Sequence, residues 1–197
     1  MSQQSGGEYT RTPRTFLNVS KGKLANNKDG KYLDGYIGKL TDIKLVMESY
    51  EGQPSPKWKI VMKNMADPEG SEAQISFKAD AYYALGWFRR ILNVNLALPF
   101  LMGAYRPKDS NEKISLCYMR QNEIKIEADK DCIPDPVKVT VGMKELLDWT
   151  ATLEECNKIS DEVRVRIQKA SMLPTSPQGE YASGDTAPHP AESDLPF

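Results

Sequence analysis

Apolar and polar residues alternate with a period of two in separate stretches on both sides of one helical stretch, and this order constrains the fold of the 197-residue chain more than any other feature. Side chains on a strand point to alternate faces, so a period of two marks a half-buried strand, whereas a helix repeats every 3.6 residues. Residues 32–47 read as one long strand kinked at Gly35 or Gly38, with Ile37, Ile43, Leu45 and Met47 on one face. Residues 51–56 carry Pro54 and Pro56, whose missing donors predict a loop. Residues 58–64 then alternate again: Trp58, Ile60 and Met62 point one way, while Lys57, Lys59, Val61 and Lys63 point the other. Beyond the turn Asp67-Pro68-Glu69-Gly70, residues 73–78 predict a third strand with Ile75 and Phe77 inward.

A helix follows over residues 81–93, where Asp80 can cap and Leu85, Phe88 and Leu92 fall at helical spacing. Arg89 and Arg90 sit in its last turns, where cations suit the helix dipole. Tyr82, Tyr83, Trp87 and Phe88 on this helix are expected to plug the interior rather than bind a ligand. Two further strands are predicted around residues 100–106 and 113–128, the second interrupted near Gln121-Asn122. Ahead of the long strand, residues 15–19 predict extended chain continued over 21–25 through a bend at Gly22, and residues 26–30 a turn.

Three strands, a helix and two strands, with the first strand long and bent, is the order of a five-stranded oligonucleotide-binding (OB-fold) barrel. The expected class is therefore mainly β, with the barrel over residues 15–130; an antiparallel α+β sandwich is the competing arrangement. Residues 131–173 read as a connector and helical segment. Met143, Leu146, Leu147, Leu153 and Cys156 predict one amphipathic helix, and Ser160-Asp161-Glu162 starts another. Packing on the body is expected for them, pairing with another copy or a partner being the alternatives. Residues 1–14 predict a loose arm carrying Arg11 and Arg14. Residues 174–197 hold five prolines and two glycines but no lysine or arginine, and bury too little to offset the entropy of ordering, which predicts a disordered acidic tail.

Charge is distributed unevenly. The tail takes four acids, Glu180, Asp185, Glu192 and Asp194, which leaves 26 basic against 23 acidic side chains before it. The first 63 residues concentrate the excess, with eleven Lys/Arg against six Asp/Glu, which suggests a polyanionic ligand.

Catalytic motifs do not present themselves. The one histidine, His189, lies in the tail, and no phosphate loop, nucleophile elbow or HExxH occurs. The carboxylates are scattered, so a two-metal nuclease is the weakest of three readings; no catalytic residue, metal site or cofactor is expected. Cys117, Cys132 and Cys156 are odd in number and widely spaced, which predicts free thiols. No apolar run approaches the roughly 20 residues of a bilayer span, and the polar N-terminus does not read as a secretory signal, so the expectation is a cytoplasmic protein without a membrane partner.

Single-strand binding needs cations for phosphates and exposed rings for unstacked bases. The chain interleaves the two, and the candidate residues are Tyr36, Lys39, Trp58, Lys59, Lys63, Tyr105, Arg106, Lys108, Lys113 and Arg120. Tyr36 opposes the parity of Ile37, Ile43 and Leu45, which points it outward; Trp58 shares the parity of Ile60 and Met62, which suits core and stacking ring alike.

The last residues, Ala191-Glu192-Ser193-Asp194-Leu195-Pro196-Phe197, resemble the acidic tip of bacterial and phage single-stranded DNA-binding proteins, with Ser193 standing where that family usually continues its acids. Residues 16–46 look closer to small phage proteins. The resemblance implies that Asp194, Leu195, Pro196 and Phe197 recruit replication, recombination or repair proteins, and that the body coats single-stranded DNA in a bacterial host cell without catalysis. A homo-oligomer is among the states open to it. The alternative is a protein-interaction or virion-assembly module that binds no nucleic acid.

Overall fold

A computed structural model describes residues 14–50, 52–67, 70–108 and 114–172. In chain order they form β1 (Arg14–Ser20), β2 (Lys23–Asn26), β3 (Tyr32–Leu33), β4 (Gly35–Tyr50), β5 (Gln53–Lys63), β6 (Glu72–Lys78), α1 (Tyr82–Ile91), β7 (Phe100–Tyr105), β8 (Leu116–Gln121), β9 (Ile124–Lys125), β10 (Val137–Val141), β11 (Lys144–Asp148) and α2 (Thr150–Met172). The architecture is mainly β. One sheet runs β3-β2-β1-β6-β5-β4-β7-β8-β9, and β10 pairs only with β11. No closed barrel is found.

Strands β4, β5 and β6 form an antiparallel meander, and the first residues of the long β4 pair with β7. Beside β6 lies β1, in parallel register, with Leu17 opposite Ile75. The sheet curls far enough for the β1–β2 turn to reach the end of β7. There the Gly22 amide donates to Ser115 Oγ at 2.9 Å, and a Cβ on Gly22 would stand 2.7 Å from the Arg106 nitrogen. Gly22 also has φ +73°, so this turn requires glycine for conformation as well as for space.

The inner face of the sheet closes over α1. Trp58, Trp87, Tyr83, Phe88 and Phe100 are its largest fully buried side chains. Phe88 meets Trp58 edge-on at 4.7 Å and Trp87 at 5.0 Å, while Tyr83 meets Phe77 at 5.0 Å. Tyr83, Trp87 and Phe88 thus fill the interior, and Tyr82 is half-buried against Trp149.

Several expectations need correction. The residue pairing slips between Leu40 and Asp42, a β-bulge whose Thr41 hydroxyl donates to the Val61 carbonyl. An extra residue reverses the parity of everything beyond it. Ile43 is accordingly buried while Ile37 is 61% exposed, so the two do not share a face. The long strand breaks at Asp34 rather than kinking at Gly35 or Gly38. Pro54 and Pro56 lie inside β5, not in a loop: they oppose Ser49 and Met47 at alternate positions, and the Pro56 carbonyl turns away from β4 to accept from Ala79. A missing proline donor is harmless on that side. Asp80 does not cap α1, whose N-cap is Ala81 without a side-chain bond.

Residues 144–148 are strand, not helix, because Gly142 at φ +64° reverses the chain into a hairpin. The helix begins at Thr150 and runs unbroken past Ser160 to Met172. It packs on the body through Cys156, Ile159, Val163 and Ile167, and Arg164 Nε donates to the Ile43 carbonyl at 2.9 Å. No helix among the described residues is long and apolar enough to cross a membrane.

Candidate nucleic-acid interface

The outer face of β4, β5 and β6 pairs lysine with lysine. Across the ladders Lys39 opposes Lys63, Lys44 opposes Lys59 and Lys57 opposes Lys78. Opposite residues have Cβ atoms about 4.5–5.5 Å apart, and like charges there are destabilising. The alternation that buries Trp58, Ile60 and Met62 forces Lys57, Lys59 and Lys63 outward, but it does not require lysine on the facing strands. Three such pairs on one face are what a surface built to meet a polyanion would carry.

Carboxylates on this face are few. Glu48 binds Lys57 and Lys59, each at 2.7 Å, and the hydrogen bonds from Lys57 and then Lys59 hold its carboxyl down to about 2. Glu72 is paired with Arg14. Asp42 opposes Val61. Among the described residues Lys39, Lys44, Lys63 and Lys78 form no ion pair, so their charge is available to phosphate.

An aromatic ring borders the lysines. Phe16 opposes Gln74, which in turn opposes Val61, so Phe16 lies on the same face as the lysine pairs. It is 49% exposed, and it lines a groove of 570 Å³ with Arg14, Thr15, Asn26, Asn27 and Lys28. Exposure of a phenylalanine on an ordered strand offers a base a stacking platform, with Lys28 beside it for the backbone and Arg14 held nearby by Glu72. At the other end of β5, Lys57 and Lys78 line a second groove of 360 Å³ with Gln53, Pro54 and Ser55.

A second outer region continues along β4. Ile37, two residues from Lys39 on one face, opposes Leu101, which opposes Arg120, which opposes Lys125. Ile37, Leu101 and Arg120 edge a groove of 540 Å³ that also takes in Pro99, Phe100, Asn122 and Glu123.

The residues predicted from sequence divide clearly. Lys39, Lys59 and Lys63 share the lysine face, and Arg120 reaches it through Leu101 and Ile37. Trp58 is fully buried and cannot stack on a base. Tyr36 is half-buried and packs against the core from the part of β4 that precedes the bulge and pairs with β7; burial first, then the charges of Asp67 and Glu72, raise its hydroxyl above the usual range. Tyr105, exposed and 6.4 Å from the Tyr118 ring, stands with Arg106 and Lys108 at the far end of β7 beside the Gly22 turn, apart from the lysine pairs. Lys113 and the tip residues Asp194, Leu195, Pro196 and Phe197 lie outside the described residues, as does Arg11.

Sequence reading missed Phe16, Lys44 and Lys78. The parity of Phe16 against Leu17 was a usable signal, since only one of two adjacent apolar residues on a strand can face the core. Lys44 likewise opposes the parity of Ile43 and Leu45, which points it away from their face. Cys117 and Cys156 are buried free thiols, both raised to about 12 chiefly by burial. The described residues bring no three His, Cys, Asp or Glu together in a way that could hold a metal ion.

Comparison of the chain with protein-family models, with curated proteins and with solved structures finds no match in any of the three.

Proposed function

We infer that the protein binds single-stranded DNA without catalysis, along the outer face of β4, β5 and β6. The observation that carries this reading is the set of three cross-strand lysine pairs beside an exposed Phe16. Phosphates lower the repulsion within each pair, and bases stack on Phe16. Since neither contact reads base identity, sequence preference is weak and affinity falls steeply with salt.

The element order supports an oligonucleotide-binding arrangement. A long β4 pairs with both β5 and β7, and α1 links β6 to β7. In that arrangement β5 and β6 are the second and third barrel strands, whose outer face is the one such folds use for oligonucleotides. The parallel neighbour of β6 is then β1, a strand added ahead of the barrel. The acidic tip at Asp194, Leu195, Pro196 and Phe197 would recruit replication, recombination or repair proteins, its terminal ring and carboxylate entering an apolar pocket flanked by cations.

A fluorescently labelled oligo-dT titrated with protein at two salt concentrations tests the reading. Salt-sensitive saturable binding supports it, and the absence of binding at low salt refutes it in favour of a protein-interaction module.

A further inference from the structure

The hairpin of β10 and β11 stands apart from the main sheet, and every one of its strand residues except Val139 is exposed. An isolated two-stranded hairpin is marginal in water, so this one is short of a surface to cover it. Its two faces differ. Lys138, Thr140, Glu145 and Leu147 share one, where Lys138 pairs with Glu145, and Lys138, Glu145 and Leu147 line a groove of 190 Å³ with Tyr82 of α1, to which Leu146 of β11 also contributes. Val137, Val139, Val141 and Leu146 occupy the other, with Lys144 and Asp148 at its two ends. Val137 is 61% exposed and Val141 62%.

We propose that this second face is a self-association surface, and that its occupant is the same face of another copy of the chain. Its charges select both the occupant and the geometry. A two-fold axis crossing the strands at the level of Val139 and Leu146 lays each of these on its own equivalent. The same axis places Lys144 of one copy against Asp148 of the other, twice over, as an isologous contact requires. An axis running along the strands instead sets Lys144 on Val141 and Asp148 on Val137, which desolvates charges without partners. Neither Lys144 nor Asp148 forms an ion pair among the described residues. Asp148 Oδ1 accepts from the Thr150 amide at 2.9 Å and its hydroxyl at 2.7 Å, and Oδ2 is left for the lysine.

One hairpin face is small beside the roughly 1,200–2,000 Å² of a standard interface. Association is therefore weak and follows protein concentration. It is also independent of the lysine face, so a failure to bind DNA leaves it untouched.

Sedimentation velocity on the full chain over a range of concentrations reads the self-association. The native chain is expected to show a reversible monomer–dimer equilibrium. Lys144→Asp and Asp148→Lys should each weaken it at least tenfold by bringing like charges together. An equimolar mixture of the two variants should recover the dimer, because one copy then carries two acids and the other two lysines. Since Asp148→Lys also removes a bond to Thr150, Leu146→Asp on an exposed position serves as a second disrupting variant, with circular dichroism confirming that α2 is retained. A native chain that stays monomeric, a dimer indifferent to all three substitutions, or a mixture that remains monomeric overturns the proposal.

Discussion

Lys59 stands directly opposite Lys44 in the β4–β5 ladder, yet only Lys59 is neutralised, through Glu48, which it shares with Lys57. On the proposed reading, Glu48 holds the two lysines where a phosphate would otherwise meet them. Replacing it by Gln frees two lysines for an incoming strand while keeping an acceptor in place. Glu48→Gln is expected to tighten oligo-dT binding several-fold and to steepen the dependence of log K on log salt by up to about 1.4, at about 0.7 per added phosphate contact on single strands. Fluorescence titration at three salt concentrations measures both. The effect on stability is small, since pairs this exposed contribute under about 1 kcal/mol. Its sign is fixed by the carboxyl: held at about 2 in the folded chain against an ordinary 4.5, it stabilises fully above 4.5 and loses that contribution as pH falls toward 2.

Lys39 and Lys63 form no ion pair among the described residues, although Glu72, held by Arg14, stands opposite Lys63 on β6, and removing both should act in the opposite sense. The double variant Lys39→Gln, Lys63→Gln is expected to weaken oligo-dT binding roughly uniformly across base compositions and to flatten the salt slope by about 1.4. Relief of like-charge repulsion should raise folding stability by about 0.2–1 kcal/mol. Chemical denaturation and the same titration report the two changes together, and loss of affinity alongside gain of stability is the signature of a surface strained for its ligand.

Phe16 and Trp58 separate binding from folding. Phe16 is half exposed, so Phe16→Ala should leave the fold intact and cost about 1–3 kcal/mol of strand affinity through lost stacking. Trp58 is enclosed against Phe88, so Trp58→Ala should cost about 3–5 kcal/mol of stability. Because Trp58 and Trp87 are both fully buried, their intrinsic emission should change little on adding oligo-dT, and a label on the DNA is the suitable reporter.

How much of this was legible in the sequence depends on whether local pattern or distant pairing decided the outcome. Alternation over residues 57–63 set Trp58, Ile60 and Met62 on one face and the lysines on the other, since parity within an unbroken strand is a local property, but it left Trp58 open as core or stacking ring, which only its burial against Phe88 decides. The bulge at Thr41 defeated the same rule one strand earlier: a single extra residue turned Tyr36 inward and Ile37 outward, and no residue type announces it. The parallel partnership of β1 with β6 joins segments far apart in sequence and leaves no local trace. Leu146 and Leu147 read as one helical face because two adjacent apolar residues suit either element; Gly142 carried the contrary signal for a hairpin.

Arg166 supplies the last prediction. Its guanidinium donates to the Leu92 carbonyl at 3.1 Å and the Val94 carbonyl at 2.6 Å, with a longer bond to Ile91 at 3.4 Å. These carbonyls lie at and just beyond the end of α1, where its ladder runs out, and that of Ile91 also accepts from the Val94 amide. A residue of α2 therefore finishes α1, and with it the aromatic plug beneath the lysine face. Arg166→Ala withdraws a charged donor from several half-buried acceptors at once and should cost about 1.5–3 kcal/mol, read as a lower denaturation midpoint. Arg166→Lys should recover less than half of the loss, because a point charge cannot reach divergent carbonyls as a planar fork does. Oligo-dT affinity measured well below the unfolding transition should stay at the native value in both variants, since Arg166 bonds to α1 on the inner side of the sheet and the lysine pairs lie on the outer.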